Sequence, residues 1–503
     1  MNIGWVWRLY IYGTISVLIG PFYDNWISME KYLYLVGAYS NLCPDGASSA
    51  PATTTWRCKK QRESVTMLLT VARTSECTFS VLIGIFMDRV GPKITSVVGV
   101  ALRVTGWTLI GYMVHVNYAI IAAFVLMGLS VNFIVFPALT IGLYTKEFRF
   151  VAIVQIGMCS CFSSLIIMLK VVILEGGFLT SGQINYLYSI VCLLPCLVLC
   201  VVFFPLRLKS DLETNDLVLH AHAVRTSHCS ITTNVPVASD PVGELPSHAE
   251  ADATAWTMEL DPIKDTTEIY TKDEISNVIG DTTSLKCYYD GLRRTLRSRE
   301  VITCLFYFAY NFGSITFVQQ SYSLMYRDDP SLLTLTEYLV PLAFIPCLVF
   351  SALYMCVKPI WIMLSINVLG ALMHIVATVR GRFAGALLSI MLVTVYSVLN
   401  TKVYNYLDTV FDETYIGSIV GVLNSTCGIW LLLQGLVLQG LNSPQELDIT
   451  NYAMSMVRIC FVLPFLYLAF VVKASKSAPD GVNLKPDERS QGKDADAAAT
   501  LVA

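Results

Sequence analysis

The sequence predicts an all-α membrane protein of twelve transmembrane helices in two six-helix halves, with both termini cytoplasmic. Three observations carry that prediction. The 503 residues are 55% hydrophobic and only 14% charged, with a mean hydropathy of +0.59, whereas a soluble domain carries about 25% charged residues. Twelve apolar runs are long enough to cross a bilayer at about 1.5 Å of rise per helical residue. Lys and Arg also gather in alternate short loops, and in a membrane protein that placement, rather than the net charge of −3, sets orientation.

The first six runs lie at about 5–23, 65–87, 94–115, 117–141, 151–174 and 184–205. The second six lie at about 299–321, 336–357, 359–379, 383–403, 415–440 and 451–472. The first begins at Trp5 with almost no basic region before it. It ends in Gly20-Pro21-Phe-Tyr-Asp without a small-residue cleavage pattern, so it reads as a span rather than a signal peptide. A polar stretch, 24–64, follows as an outer loop of the N-terminal half, 1–205. The segment 206–298 is rich in Ser, Thr, Asp and Glu, with Pro236, Pro241, Pro246 and Pro262 scattered through it. Low hydrophobicity of this kind cannot offset ordering entropy, so it reads as a largely disordered cytoplasmic loop, with a helix leading back to the membrane from about Asp273. The C-terminal half, 299–472, is followed by a disordered cytoplasmic tail, 473–503.

With the N-terminus inside, Arg89, Lys93, Lys146, Arg149, Arg207, Lys209, Arg293, Arg294, Arg297, Arg299, Lys358, Lys473 and Lys476 face the cytoplasm. The outer short loops receive little beyond Arg327, Arg380 and Arg382; the long first outer loop, with Lys31, Arg57, Lys59, Lys60 and Arg62, is the exception. Most of the fifteen cysteines sit singly in apolar runs, where cysteine is a small buried hydrophobe. Cys159-x-Cys161 turns its thiols to different helix faces, so no metal pair is formed. Cys43 and Cys58 share the outer loop and are a disulfide candidate. The sequon Asn424-Ser-Thr426 falls inside a span, where it escapes glycosylation. No nucleophile, metal or phosphate-binding constellation points to an enzyme, no cofactor is implied, and no basic tract suits nucleic acid. The partners the chain calls for are a small-molecule substrate and the bilayer, with no obligatory protein partner evident.

Between the second and third runs lies Gly84-Ile-Phe-Met-Asp88-Arg89-Val-Gly91-Pro92-Lys93, a charged, glycine-kinked turn joining two long apolar segments. Gly84 suits close approach of a neighbouring helix. Asp88 suits the positive end of a helix or a cation, and Gly91-Pro92 makes the reversal and starts the next helix. The segment resembles the G-x-x-x-D-R-x-G-x-K loop of the major facilitator superfamily. That resemblance implies the major facilitator fold and a conformational latch formed by Gly84, Asp88, Arg89, Gly91 and Lys93. The corresponding loop of the second half, Met355-Cys-Val-Lys358-Pro359, keeps only a basic residue and a proline.

In a fold of this kind the first, fourth, seventh and tenth helices line the cavity, and Asn132, Asn311, Ser314, Gln319, Tyr396 and Asn400 are their polar candidates. Any of these side chains can equally bond its own helix or a neighbour. Ionisable residues at membrane depth carry more weight. Arg73 and Glu76 share a face of the second run at i, i+3, and Arg103 lies at comparable depth in the third. An ion pair of Glu76 with one arginine leaves the other for a substrate carboxylate, which a guanidinium binds through two parallel hydrogen bonds. Lys170 and Arg458 lie nearer helix ends and read as snorkelling to the interface. No Asp or Glu is plainly embedded in the lining helices, since Asp24 and Asp408 lie near ends. That pattern favours facilitated diffusion.

The short N-terminal tail, the cysteine-containing outer loop, the proline after the second glycine of the signature and the large central loop resemble the apicomplexan amino-acid transporter family. They also resemble the related system-L-type facilitative amino-acid transporters. The resemblance implies transport of an L-amino acid, neutral, aromatic or cationic, by alternating access across a plasma membrane. A transporter of a monocarboxylate, sugar or nucleoside shares the fold and the loop. A receptor-like protein that has lost transport would instead have a seventh helix poor in polar residues.

Overall fold

The computed structural model describes residues 4–43, 58–144, 149–206, 291–326, 329–354, 356–410, 413–441 and 443–476, and every regular element among them is helical. In chain order these are α1 (Trp5–Ile19), α2 (Trp26–Leu35), α3 (Lys59–Thr78), α4 (Ser80–Val90), α5 (Pro92–Met113), α6 (Asn117–Leu139), α7 (Ile141–Tyr144), α8 (Arg149–Phe162), α9 (Ser164–Glu175), α10 (Ser181–Tyr188) and α11 (Leu194–Phe203). After the central segment come α12 (Arg299–Met325), α13 (Pro330–Leu339), α14 (Phe344–Tyr354), α15 (Pro359–Ala377), α16 (Arg382–Val410), α17 (Glu413–Gly440) and α18 (Pro444–Lys476). Among the described residues ten stretches are long and apolar enough to cross a bilayer, and α3 with α4 makes an eleventh when that bent pair is counted as one. Of the central segment expected at 206–298 and the tail expected at 473–503, residues 207–290 and 477–503 lie outside the described residues; 291–296 are helical, and α18 continues through 473–476, so the expected start of the tail is corrected.

The expected outer loop at 24–64 is corrected by the structure. α1 stops at Ile19, because Gly20 turns extended and Pro21 offers no amide to continue the ladder. A single 3₁₀ turn, Phe22–Asp24, leads into α2, where the Asn25 side chain caps the helix by accepting from the Ser28 amide. Trp26, Met29, Tyr32 and Leu33 then recur on one helical face and are buried. α3 likewise begins at Lys59 rather than at 65, because Gln61 already packs inward, donating to the Ala38 carbonyl at 2.9 Å. Only 44–57 of the expected loop lies outside the described residues.

The second run is also not straight: α3 and α4 meet at an angle of 45°. Carbonyls on the last turn of α3 are taken by side chains. Asn132 of α6 donates to Glu76 O at 2.5 Å, Ser80 to the same oxygen at 3.0 Å, and Ser425 of α17 to Thr78 O at 2.9 Å. Side chains inserted into the backbone ladder are a recognised cause of sharp kinks.

Two apolar cores organise the helices. One, from Leu9 to Phe204, centres on Tyr12, Phe22, Trp26, Trp107 and Phe124. The other, from Val301 to Phe465, centres on Tyr307, Phe312, Phe317 and Met363, and takes Cys77 from the first group of helices, with Ile27 packed against it. Across the seam between them, α17 presents Gly421, Gly428 and Gly435, spaced two turns apart on one face. A Cβ on Gly428 would meet the Thr78 amide nitrogen at 2.6 Å, and one on Gly435 would collide with the Thr70 side chain. Bare glycine faces of this kind let membrane helices approach to backbone contact. At one end of the molecule Cys43 and Cys58 are joined by a disulfide with Cα atoms 5.7 Å apart.

Two outcomes follow from these contacts. Gly428→Val pushes α17 off α3 and lowers thermal stability in detergent by about 1–3 kcal/mol, whereas Gly84→Ala, with no atom within 4 Å of the added carbon, has little effect. Cys43→Ser/Cys58→Ser releases a closure over a sequence separation of 15 and lowers stability by about 3 kcal/mol. Maleimide labelling of this pair before and after reduction checks the bond directly.

Candidate functional site

Where the two groups of helices meet, four elements converge on Arg73. α3 carries Arg73 and, one turn on, Glu76. The Gly20-Pro21 break aims Asp24 and Tyr23 inward, and α12 and α16 supply Phe312, Gln319 and Tyr396 from the second group. The Arg73 side chain is 2% exposed and that of Asp24 6%. Arg73 Nη2 donates to Asp24 Oδ1 and Nη1 to Glu76 Oε2 at 3.1 Å. Tyr23 OH also donates to Glu76 Oε2, at 2.8 Å. From the other side Tyr396 OH donates to Asp24 Oδ2, and Gln319 Nε2 to Asp24 O at 3.2 Å. The rings of Tyr23, Phe312 and Tyr396 stand 4.9, 5.0 and 5.8 Å from the guanidinium carbon.

The arrangement answers a physical demand. A charge taken from water into a low-dielectric interior is tolerated only when it is paired and its remaining lone pairs and protons are bonded. Here a second group of helices is needed to complete the bonding of a carboxylate from the first, which couples the two mechanically. The cavity beside Asp24, Trp26, Gln319, Tyr322 and Tyr396 has about 10 Å³ of space, the threshold for one water. The site is therefore closed around its own side chains. Toward the disulfide end the seam is bonded again. Asn25 donates to Glu337 O at 3.0 Å, Ser28 to Glu337 Oε1 at 2.7 Å, and Gln320 of α12 to Thr70 Oγ1 at 2.8 Å.

The structure brings Arg73, Glu76, Gln319 and Tyr396 together and sends the other candidates elsewhere. Asn132 bonds Glu76 O and, at 2.8 Å, Ser80 Oγ, clamping α6 to the α3–α4 bend. Arg103 donates to Ile19 O at 2.7 Å, lies over the Phe22 ring at 4.8 Å and keeps its Nε and Nη1 without a partner among the described residues. Asn311 and Ser314 belong to the interior of the second core, where Arg458 donates to Asn311 Oδ1 at 2.5 Å and to Ser314 Oγ at 3.0 Å. The Asn400 side chain falls outside those described. Of the latch residues, Asp88 and Arg89 are exposed at the end of α4. Gly91 adopts a φ of +95° that starts α5 with Pro92 at its first position, and the Lys93 amide donates to Pro205 O at 3.2 Å. The close approach expected at Gly84 occurs instead at the α17 glycines.

Three expectations are corrected. Arg458 and Lys170 do not snorkel: they are 0% and 3% exposed. Lys170 Nζ sits 3.1 Å from the Trp107 ring centroid and donates to Asn185 Oδ1 at 3.0 Å, so aromatic faces and an amide replace the interface. Asp24, set aside as lying near a helix end, is the carboxylate at the centre. The sequence carries its signal as an acid three residues after the Gly20-Pro21 break, a break equally consistent with a membrane boundary.

Removing one partner of a buried pair leaves the other charge uncompensated, at about 3–5 kcal/mol. Asp24→Asn and Arg73→Met each therefore lower stability on that scale, and the double variant loses clearly less than their sum. A double-mutant cycle followed by thermal unfolding in detergent measures the difference.

Comparison with known proteins agrees with this architecture. The Major Facilitator Superfamily profile matches residues 60–434. "Arginine transporter 1" of Toxoplasma gondii is 23% identical over 439 residues, covering 85% of this chain and 81% of that protein. "Aromatic and large neutral amino acid transporter 5-3" of Toxoplasma gondii is 36% identical over 134 residues, 26% of each. A solved POT family transporter in complex with a thioalcohol-conjugated peptide superposes with a TM-score of 0.56 at 13% identity, over 92% of this chain and 96% of that one, a likeness of fold. With its helices, its signature turn and most of its length matched, the chain belongs to the Major Facilitator Superfamily.

Proposed function

We propose that the chain moves L-amino acids across a membrane by alternating access. Two six-helix halves, 1–205 and 299–472, rock about the Arg73–Asp24–Glu76 network, with the termini, the central segment 206–298 and the tail 473–503 on the cytoplasmic side of a plasma membrane. Taking α1 with α2 as one span broken at Gly20-Pro21, and α3 with α4 as one bent span, brings the count to twelve. The observation that carries the reading is that the buried ionic network is completed only by side chains from both halves. A ligand that competes for Arg73 and Asp24 thereby acts on the contact between them. The amino-acid class is supported by the relatives, named for arginine and for aromatic and large neutral amino acids. An amino acid offers an ammonium to Asp24 or Glu76 and a carboxylate to Arg73, complementary to charges already present. Movement is facilitative, and Gly84, Asp88, Arg89, Gly91 and Lys93 form the latch for one of the two conformations. A monocarboxylate is the second reading, favoured by the free Nε and Nη1 of Arg103.

Uptake of a radiolabelled amino-acid panel into cells expressing the chain tests this. Saturable uptake of one class is expected, reduced at least about tenfold, or ~1.4 kcal/mol, in Asp88→Asn and in Arg73→Gln at matched surface expression. Absence of amino-acid uptake at verified surface expression moves the assignment to monocarboxylates, sugars and nucleosides. Uptake unchanged in both Arg73→Gln and Arg103→Gln removes arginine as the receiver of the substrate carboxylate.

A further inference from the structure

The central network holds more acid than base. Two carboxylates, Asp24 and Glu76, contact the single guanidinium of Arg73. Arg103, also buried in the first group of helices, bonds a backbone carbonyl and makes no ion pair among the described residues. Around Arg73 stand three aromatic faces, Tyr23, Phe312 and Tyr396, drawn from three separate elements. Carboxylates within hydrogen-bond reach of a cation and aromatic rings around it are what a guanidinium or ammonium group requires of a receptor. The protein has built such a receptor at the junction of its halves and filled it with a side chain of its own. That occupant retains one unused donor, since Arg73 Nε is buried without a partner.

We propose that this cage selects amino acids of net positive charge, with Glu76 as the charge-selective residue, and that Arg73 is a tethered occupant that holds the cage while substrate is absent. The inference rests on the amino-acid reading above and narrows it. A zwitterion leaves the excess negative charge of the cluster in place. A cationic amino acid neutralises it, and in a low-dielectric site charge balance outweighs most differences in contact area. On binding, the substrate carboxylate takes Arg73 through its Nε and one Nη, the α-ammonium takes Asp24, and the side-chain cation takes Glu76 between the rings. Each buried charge released by Arg73 thus acquires a new partner. An α-ammonium on Asp24 also competes with Tyr396 for the carboxylate, which loosens the junction that must open.

Arginine and citrulline separate the possibilities, because citrulline keeps the length and the amino-acid headgroup and replaces the guanidinium by a neutral urea. In competition against radiolabelled arginine in cells expressing the full chain, citrulline is expected to be at least about tenfold weaker than arginine. Glu76→Gln at matched surface level is expected to reduce that preference to within about twofold. Equal competition by citrulline in the wild type overturns the proposal, as does a preference unchanged in Glu76→Gln. The wild-type ratio requires no variant and decides the matter if Glu76→Gln does not reach the surface. Uptake of large neutral amino acids without preference for arginine overturns the cage and leaves the amino-acid reading standing. Absence of uptake for every amino acid overturns that reading, and the cage with it.

Discussion

A guanidinium buried where two groups of helices meet is the constraint on which the rest of this structure depends. Arg73 is 1% exposed, and a charge at that depth persists only while its counter-ions and their own hydrogen bonds are held in place. The break at Gly20-Pro21 delivers Asp24 to it, the i, i+3 spacing on α3 delivers Glu76, and α12 and α16 complete Asp24 from across the seam. Moving any one of these elements leaves an unpaired charge, so their positions are tied together more tightly than apolar packing alone would require.

Four buried cations show different solutions to the same problem. Arg458, on α18, is satisfied by neutral acceptors within one core, and Gly370 leaves it room: a Cβ there would collide with the Arg458 guanidinium. Lys170 rests on the Trp107 and Tyr188 rings with one amide acceptor. Arg103 uses one carbonyl and the Phe22 ring. The bonds each of these makes stay inside its own group of helices, although Arg103 keeps two of its nitrogens without a partner among the described residues. Arg73 alone among them pairs with carboxylates, and its network alone reaches across the seam. A bond between rigid groups is one that a competing ligand can exchange, whereas a bond inside a group is not.

The seam also brings helices of the two groups close together. The α17 glycines bring α3 and α17 to backbone contact, and a close contact without interdigitating side chains can part without rotamer rearrangement. The bend between α3 and α4 arises from carbonyls given up to Asn132, Ser80 and Ser425. It directs the charged turn at Asp88 and Arg89 away from the line of α3.

The sequence by itself determined the membrane-spanning helical class, the signature turn, the polar seventh run and the shared helix face of Arg73 and Glu76; it left open whether Arg73 or Arg103 pairs with Glu76. Hydropathy, charge and helical spacing are local properties, and they survive without knowledge of neighbours. The sequence also placed Asp24 correctly within the chain but not within the protein. A Gly-Pro break looks the same whether it ends a helix in water or redirects it inside the bilayer, and only the packing of Trp26, Met29 and Tyr32 against the first core decides between them. Asn132, Asn311 and Ser314 were recognisable as polar residues at depth, yet whether an amide faces a cavity, a carbonyl or an arginine depends on a partner far away in sequence. Tertiary structure decided those partners. It drew Asp24 and Tyr396, 372 positions apart, into one bond, because a buried carboxylate must find its donors wherever the fold supplies them.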